Sequence, residues 1–196
     1  CPWDMRLEDR RIRKAELDTR DPEWDIGDAL MDVFSVDHSP QERETLQLHL
    51  LFDTMPRASI VGGFDAFYNR LDDFSGNLLG DLANVPDVII AGGAVIGALM
   101  KAPSSDVDVF LICDHTEAMQ RFRDIYKIVQ MKMQSRFGDK SKLLVSRSKS
   151  AVTLHYCLGS SIVEDMPPVQ IVLGLGRSVT ELLQRFDVDC CCVAYD

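Results

Sequence analysis

The chain has 196 residues, of which 46% are hydrophobic and 27% are charged, and its formal net charge is −10. This composition predicts one ordinary domain, or a domain with a helical extension, and it excludes wholesale disorder. The negative charge disfavours a long nucleic acid as a partner, because phosphate contacts need clustered Lys and Arg side chains.

Cysteine usage and hydropathy predict the compartment. The sequence has no run of eighteen apolar residues and no signal-peptide pattern, so we expect no membrane span and no membrane partner. Its six cysteines include no Cys-x-x-Cys pair, which disfavours a structural zinc site. Three of them are consecutive, which fits small buried thiols better than a disulfide framework and favours a reducing, intracellular, cytoplasmic location. The ends of the chain, at Cys1 and in an apolar segment, favour a piece of a longer protein, whose other domains would be its partners. The alternative is that Met5 is the natural start.

Residues 1–84 are predicted to form a charged N-terminal segment and a helical extension. The mixed charges of residues 1–36 are typical of a solvated helix or tail, and a partner-binding arm is the alternative. Ser39 and Pro40 indicate a helix start. Phe and Leu recur at spacings of three and four over Phe64–Ala83, which predicts an amphipathic helix.

A short apolar run, Val88–Ala91, is followed by a diglycine and a second helical pattern. The run predicts a buried strand. Gly92 and Gly93 allow a sharp turn and a close approach to a ligand, because neither residue has a Cβ. The helix predicted over Ala94–Lys101 would point its first amides at whatever sits on the glycines, and a phosphate suits that position.

An Asp-x-Asp pair begins the next predicted strand, Asp106–Ile112. Strand alternation puts Asp106 and Asp108 on one face, where two carboxylates can share hard divalent cations. The alternative is a surface turn followed by an edge strand with solvated aspartates. The apolar residues of DVDVFLI weaken this alternative. Ser104 and Ser105, just before the pair, could bind a phosphate or only shape the loop.

Helix-capping residues and strand alternation predict the remaining helices and strands. Asp114 predicts the start of a helix that ends near Phe137. Its apolar face would contain Met119, Phe122, Ile125, Val129 and Met133. A hairpin is predicted from Leu143–Arg147 and Ala151–Cys157, then a strand over Val169–Leu173 and a helix over Val179–Arg185. The last strand would include Asp187, Asp189 and Cys190–Cys192, with at least two of the three thiols in the core.

The combined strand, Gly92-Gly93 turn, helix and Asp106-Val107-Asp108 strand resembles the DNA polymerase beta-like nucleotidyltransferase superfamily. The resemblance covers residues 85–196 and implies an α+β core, a small mixed sheet flanked by helices. It implies that Asp106 and Asp108 bind Mg²⁺ or Mn²⁺ and that the two glycines hold the β- and γ-phosphates of an NTP. An acceptor hydroxyl would then attack the α-phosphorus, and the acceptor could be a protein, an RNA end or a small molecule.

The third carboxylate that the resemblance implies is replaced at the matching position by Gln170. A glutamine cannot act as a base or bring negative charge to a metal. Asp187 is the other candidate for this catalytic role, unless it is a buried aspartate that bonds backbone amides. Gln170 also supports a second hypothesis, a catalytically impaired nucleotidyltransferase-like module that binds or scaffolds within a larger protein. A third hypothesis is an unrelated α/β domain in which Asp106 and Asp108 are structural.

Overall fold

The computed structural model describes residues 61–186 and 191–196, which form an α+β fold with an open mixed sheet between helices. Its helices are α1 (Phe64–Ser75), α2 (Leu79–Leu82), α3 (Gly93–Met100), α4 (His115–Phe137) and α5 (Val179–Gln184). Its strands are β1 (Val88–Ala91), β2 (Val107–Leu111), β3 (Ser141–Arg147), β4 (Ala151–Leu158), β5 (Ser161–Ile162), β6 (Val169–Val172) and β7 (Ala194–Tyr195). The α+β class expected from the sequence is confirmed. The helix predicted to start at Ser39-Pro40 lies outside the described residues.

The sheet has the strand order β3-β4-β6-β2-β1-β7, and β5 pairs with β4. Strands β2 and β6 run parallel, whereas the other described pairs are antiparallel. The parallel pair places Asp108 beside Gln170 in the centre of the sheet. None of the helices in the two described ranges is long and apolar enough to cross a membrane.

The side chains of β2 alternate between the two faces of the sheet, and each face packs against a different cluster of apolar residues. Val107, Val109 and Leu111 join the main core, which also contains side chains of helices α1 to α4. On the opposite face, Phe110 belongs to a small cluster with Leu182 of α5. Asp108 shares this second face by alternation, so the candidate carboxylate lies on the less covered side of the sheet.

The single helix predicted over Phe64–Ala83 is wrong, because the structure contains two helices there. Gly76 and Asn77 have φ angles of 77° and 62°, which end α1 in the left-handed region. The amide of Asn77 donates to the carbonyl oxygen of Asp72 at 2.7 Å. The apolar spacing continues through this break, and the sequence pattern therefore hid it.

Helix α4 begins as predicted, since the Asp114 side chain accepts hydrogen bonds from the amides of Thr116 and Glu117. Its buried residues are Ile125, Val129 and Met133. Met119 was predicted on the same face but is 56% exposed, whereas its neighbour Ala118 packs against the main core.

The predicted hairpin is confirmed, but the predicted last strand is wrong for Cys191 and Cys192. Strand β7 contains only Ala194–Tyr195 and pairs with β1. The thiol of Cys192 donates to the carbonyl oxygen of Leu183 at 3.3 Å, so this segment packs against the end of α5. Both cysteines are only half-buried, and Cys190 lies outside the described residues.

Substitution of Tyr156 by Phe is expected to leave the free energy of unfolding unchanged or to raise it by about 1 kcal/mol. Tyr156 is 1% exposed, its hydroxyl has no hydrogen-bond partner among the described residues, and burial raises its pKa to about 12. Urea denaturation tests this, with Leu71→Ala as the control that should lose about 2–5 kcal/mol. A clear loss of stability in the Phe variant would show that the hydroxyl has a partner.

Candidate functional site

The turn between β1 and α3 presents a helix N-terminus without a side-chain cap. Gly92 has φ 81° and ψ −139°, and its carbonyl oxygen accepts a hydrogen bond from the Ile96 amide at 3.1 Å. No side chain of the described residues caps α3. The amides of the first helical turn therefore have the arrangement that binds phosphate groups in other proteins.

The missing Cβ atoms of Gly92 and Gly93 also leave room for neighbouring side chains. A Cβ on Gly92 would lie 3.5 Å from Oδ2 of Asp108 and 3.8 Å from the Phe186 ring. A Cβ on Gly93 would lie 3.3 Å from Oγ of Ser104. The turn thus brings its backbone next to one candidate carboxylate and one candidate phosphate-binding hydroxyl.

Strand β2 is one residue shorter at each end than predicted. Asp106 therefore lies just before the strand, and Asp108 is the second residue of the strand. The Asp106 carboxylate accepts two hydrogen bonds. Oδ1 accepts from Oγ of Ser105 at 2.8 Å, and Oδ2 accepts from Nε2 of Gln170 at 3.0 Å. Gln170 therefore holds Asp106 in place across the β2–β6 pair.

Asp108 has a different environment from Asp106. Burial, and secondly the charge of Asp106, raises the pKa of Asp108 from 3.8 to about 6. No described residue donates a hydrogen bond to this carboxylate. Two nearby carboxylates, one without a partner, fit a hard divalent cation, since Mg²⁺ is commonly held by one or two carboxylates plus substrate phosphates. A group of three or more potential ligands does not occur among the described residues.

The raised pKa of Asp108 predicts a pH dependence of stability. Between about pH 4 and pH 6 the folded chain keeps a proton that the unfolded chain has released. Protonation of Asp108 therefore contributes fully to the free energy of unfolding below this range, and this contribution is lost as the pH rises through about 6. We expect Asp108→Asn to be more stable than the wild type at pH 7.5, and the difference in melting temperature to shrink towards pH 4.5. A difference independent of pH would contradict this assignment.

A cavity of about 560 Å³ lies between α3 and the loop that leads to β2. It is lined by Gly93, Ile96, Gly97, Ala102, Pro103, Ser104, Ser105 and Asp106. The cavity is open to solvent, and its volume is within the range of small-molecule sites. It joins the helix N-terminus to the first carboxylate, so a ligand on the glycine turn would reach Asp106.

Sequence reasoning missed Gly97, which allows the loop to pack on α3. A Cβ at this position would lie 2.9 Å from the carbonyl oxygen of Ala102, too close for any side chain. The signal was present in the sequence, because Gly93 and Gly97 are four residues apart and lie on the same face of a helix. Phe186, beside Gly92, was also missed, and no local pattern indicates it.

The structure brings together six of the seven predicted site residues around this turn. These are Gly92, Gly93, Ser104, Ser105, Asp106 and Asp108. The Ser104 hydroxyl donates to the carbonyl oxygen of Asp106 at 3.4 Å, so Ser104 at least shapes the loop. Asp187, the candidate third carboxylate, lies outside the described residues, as does Asp189.

The sequence matches one known family over the whole of this region. The model of the Gabija anti-defense 2 (Gad2) family matches residues 65–196, which is about two thirds of the chain. The chain therefore belongs to the Gabija anti-defense 2 family. No curated protein matches it.

Proposed function

We propose that this member of the Gabija anti-defense 2 family is a metal-dependent nucleotidyltransferase with a nucleotidyltransferase-like core. It would move an NMP from an NTP to a hydroxyl acceptor. The observation that carries the proposal is the position of the Asp106–Asp108 pair beside the Gly92 turn, where a Cβ would lie 3.5 Å from the Asp108 carboxylate. A phosphate-binding backbone and a pair of carboxylates are the parts that phosphoryl transfer requires.

The residues around the turn would bind different parts of the nucleotide and its metal ion. The first amides of α3 would bind the β- and γ-phosphates, and Ser104 and Ser105 line the cavity where the rest of the nucleotide would lie. Asp106 and Asp108 would hold Mg²⁺ or Mn²⁺, which offsets the negative charge of the triphosphate when bound. The proximity of the two carboxylates supports this assignment, since the charge of Asp106 contributes to the raised pKa of Asp108.

The transfer conserves atoms and charge in one displacement. A bond forms between the acceptor oxygen and the α-phosphorus, and the bond from this phosphorus to the bridging oxygen breaks. Pyrophosphate leaves with the electron pair. The acceptor proton goes to a base, for which Asp187 is the candidate from the sequence.

The second candidate function is a nucleotidyltransferase-like module that binds a nucleotide or a partner without catalysis. The observation that favours it is the hydrogen bond from Gln170 to Oδ2 of Asp106, which occupies an oxygen that a cation would need. The two functions differ in outcome, because the module would bind an NTP and leave it unchanged. Replacement of Gln170 by Glu should then gain transfer if the missing charge is the only defect.

We further propose that the nucleotide site carries the anti-defence role in the family's name. If it does, Asp106→Ala with Asp108→Ala should lose the ability to counter Gabija in cells. Asp139→Ala, which changes an exposed aspartate outside the site, should retain it. If Asp106→Ala with Asp108→Ala still countered Gabija fully, the anti-defence role would not depend on the nucleotide site.

The direct test is incubation of the purified chain with each NTP labelled at the α-phosphate. Mg²⁺ or Mn²⁺ is added, and RNA, protein and small hydroxyl compounds are supplied in turn as acceptors. We expect label to appear on one acceptor class and to disappear with Asp106→Ala and Asp108→Ala combined. Label transfer that persists in this variant would overturn the site assignment.

A further inference from the structure

A row of polar side chains crosses the sheet from the candidate site to the β3–β4 hairpin. The register pairs Asp108 with Gln170, Gln170 with Thr153, and Thr153 with Ser146. Paired residues on neighbouring strands project from the same face, so these four residues, which we call the polar row, share one face of the sheet. Three strand spacings separate its ends, a distance of about 14 Å.

The hairpin at the far end of the polar row has the opposite charge to the whole chain. Residues 140–163 contain Lys140, Lys142, Arg147 and Lys149 but no Asp or Glu, although the net charge of the chain is −10. All four side chains are exposed, and none forms an ion pair with a described residue. By contrast, Lys132 forms an ion pair with Asp81, and Arg121 forms one with Asp87. The hairpin is therefore a local positive surface.

Two more residues of the hairpin lie on the face of the polar row. Leu144 pairs with His155 and is 49% exposed. A ring nitrogen of His155 lies 3.4 Å from Oγ of Ser146. Bases of single-stranded nucleic acids stack on flat rings and their phosphates contact cations, and this hairpin offers a ring together with cations that form no ion pair with a described residue.

We propose that the polar row and the hairpin cations bind the acceptor, and that this acceptor is the end of a single-stranded oligonucleotide. Its terminal hydroxyl would lie at Asp108. Its phosphates would lie towards Lys142, which shares the face of the polar row by alternation, and towards Lys149, which is exposed in the turn of the hairpin. The inference rests on the proposed function and names its acceptor. It also refines the expectation from the net charge, because residues 140–163 contain four cations and no carboxylate, which suits a single strand.

The test is binding of a fluorescein-labelled single-stranded oligonucleotide, measured by fluorescence anisotropy without NTP or divalent metal. Lys142→Glu with Lys149→Glu is expected to weaken binding about tenfold or more and to reduce the salt dependence, by about 0.7 in the logarithmic slope per lost phosphate contact. The matched control is Arg123→Glu with Lys127→Glu, which makes the same charge change on exposed positions of α4. This control should bind like the wild type.

Label transfer to the same oligonucleotide, measured on the wild-type chain with NTP and Mg²⁺, separates this inference from the proposed function. Oligonucleotide binding without any transfer would overturn the proposed function alone. Absent binding, or equal loss in the two charge-reversal variants, would overturn the oligonucleotide acceptor. Tighter binding of polyglutamate than of the oligonucleotide would also overturn it and would assign the hairpin to an acidic protein.

Discussion

Asp106→Ala combined with Asp108→Ala is expected to abolish divalent-dependent NTP binding and to reduce transfer on the order of 10³-fold or more, by analogy with the loss of other charge-stabilising groups. The melting temperature of the metal-free chain should stay the same or rise. Burial and the charge of Asp106 already raise the pKa of Asp108 to about 6, so the ionised pair is unfavourable without a cation. Calorimetric titration with metal–NTP and thermal denaturation measure the two effects.

Asp139→Ala is the matched control for this pair, because it removes an exposed carboxylate that lies outside the site. It should bind metal–NTP with the affinity of the wild type. Unfolding of the double variant would show that the carboxylates are structural. Unchanged metal–NTP affinity in a folded double variant would remove them from the nucleotide site.

Gly92→Ala is expected to lower the free energy of unfolding by about 1–3 kcal/mol, because φ 81° and ψ −139° are strained for any residue with a Cβ. The added methyl group would also lie 3.5 Å from Oδ2 of Asp108, in the space next to the proposed phosphate site. NTP binding should therefore fall together with stability. Urea denaturation and calorimetric titration test both parts.

The control for this substitution is Gly80→Ala, in helix α2. A Cβ at Gly80 meets no atom within 4 Å, and alanine is favoured over glycine in a helix by about 1 kcal/mol. This variant should be as stable as the wild type or more stable, with unchanged NTP binding. If Gly92→Ala behaved in the same way, the strained turn would have no role in the site.

The β1–α3–β2 segment could be predicted from the sequence to within about a residue because its signals are local. Val88–Ala91 is apolar, the two glycines mark the turn, and Asp106 and Asp108 alternate with apolar residues. The break at Gly76 could not be predicted, because the apolar spacing of α1 and α2 continues across it. The local sequence pattern therefore predicted the Gly92–Gly93 turn correctly, but it predicted one helix where the structure has α1 and α2.

The rest of the candidate site depends on which strands are neighbours. Gln170 contacts Asp106 across 64 residues of sequence, and this contact follows from the parallel β2–β6 register. Alternation along β6 could predict the face of Gln170 but not its partner. In the same way, the sequence shows the cations of the β3–β4 hairpin, while only the strand order shows that this hairpin continues the sheet beyond β6, on the Gln170 side of Asp108. The role of Asp187 stays a prediction.

The measurement that tests nucleotidyl transfer most directly compares NTP labelled at the α-phosphate with NTP labelled at the γ-phosphate. The account predicts that the α-label joins the acceptor while the γ-label is released as pyrophosphate, and that both signals disappear with Asp106→Ala and Asp108→Ala combined. Transfer of the γ-label, release of inorganic phosphate alone, or tight NTP binding without any turnover would contradict it.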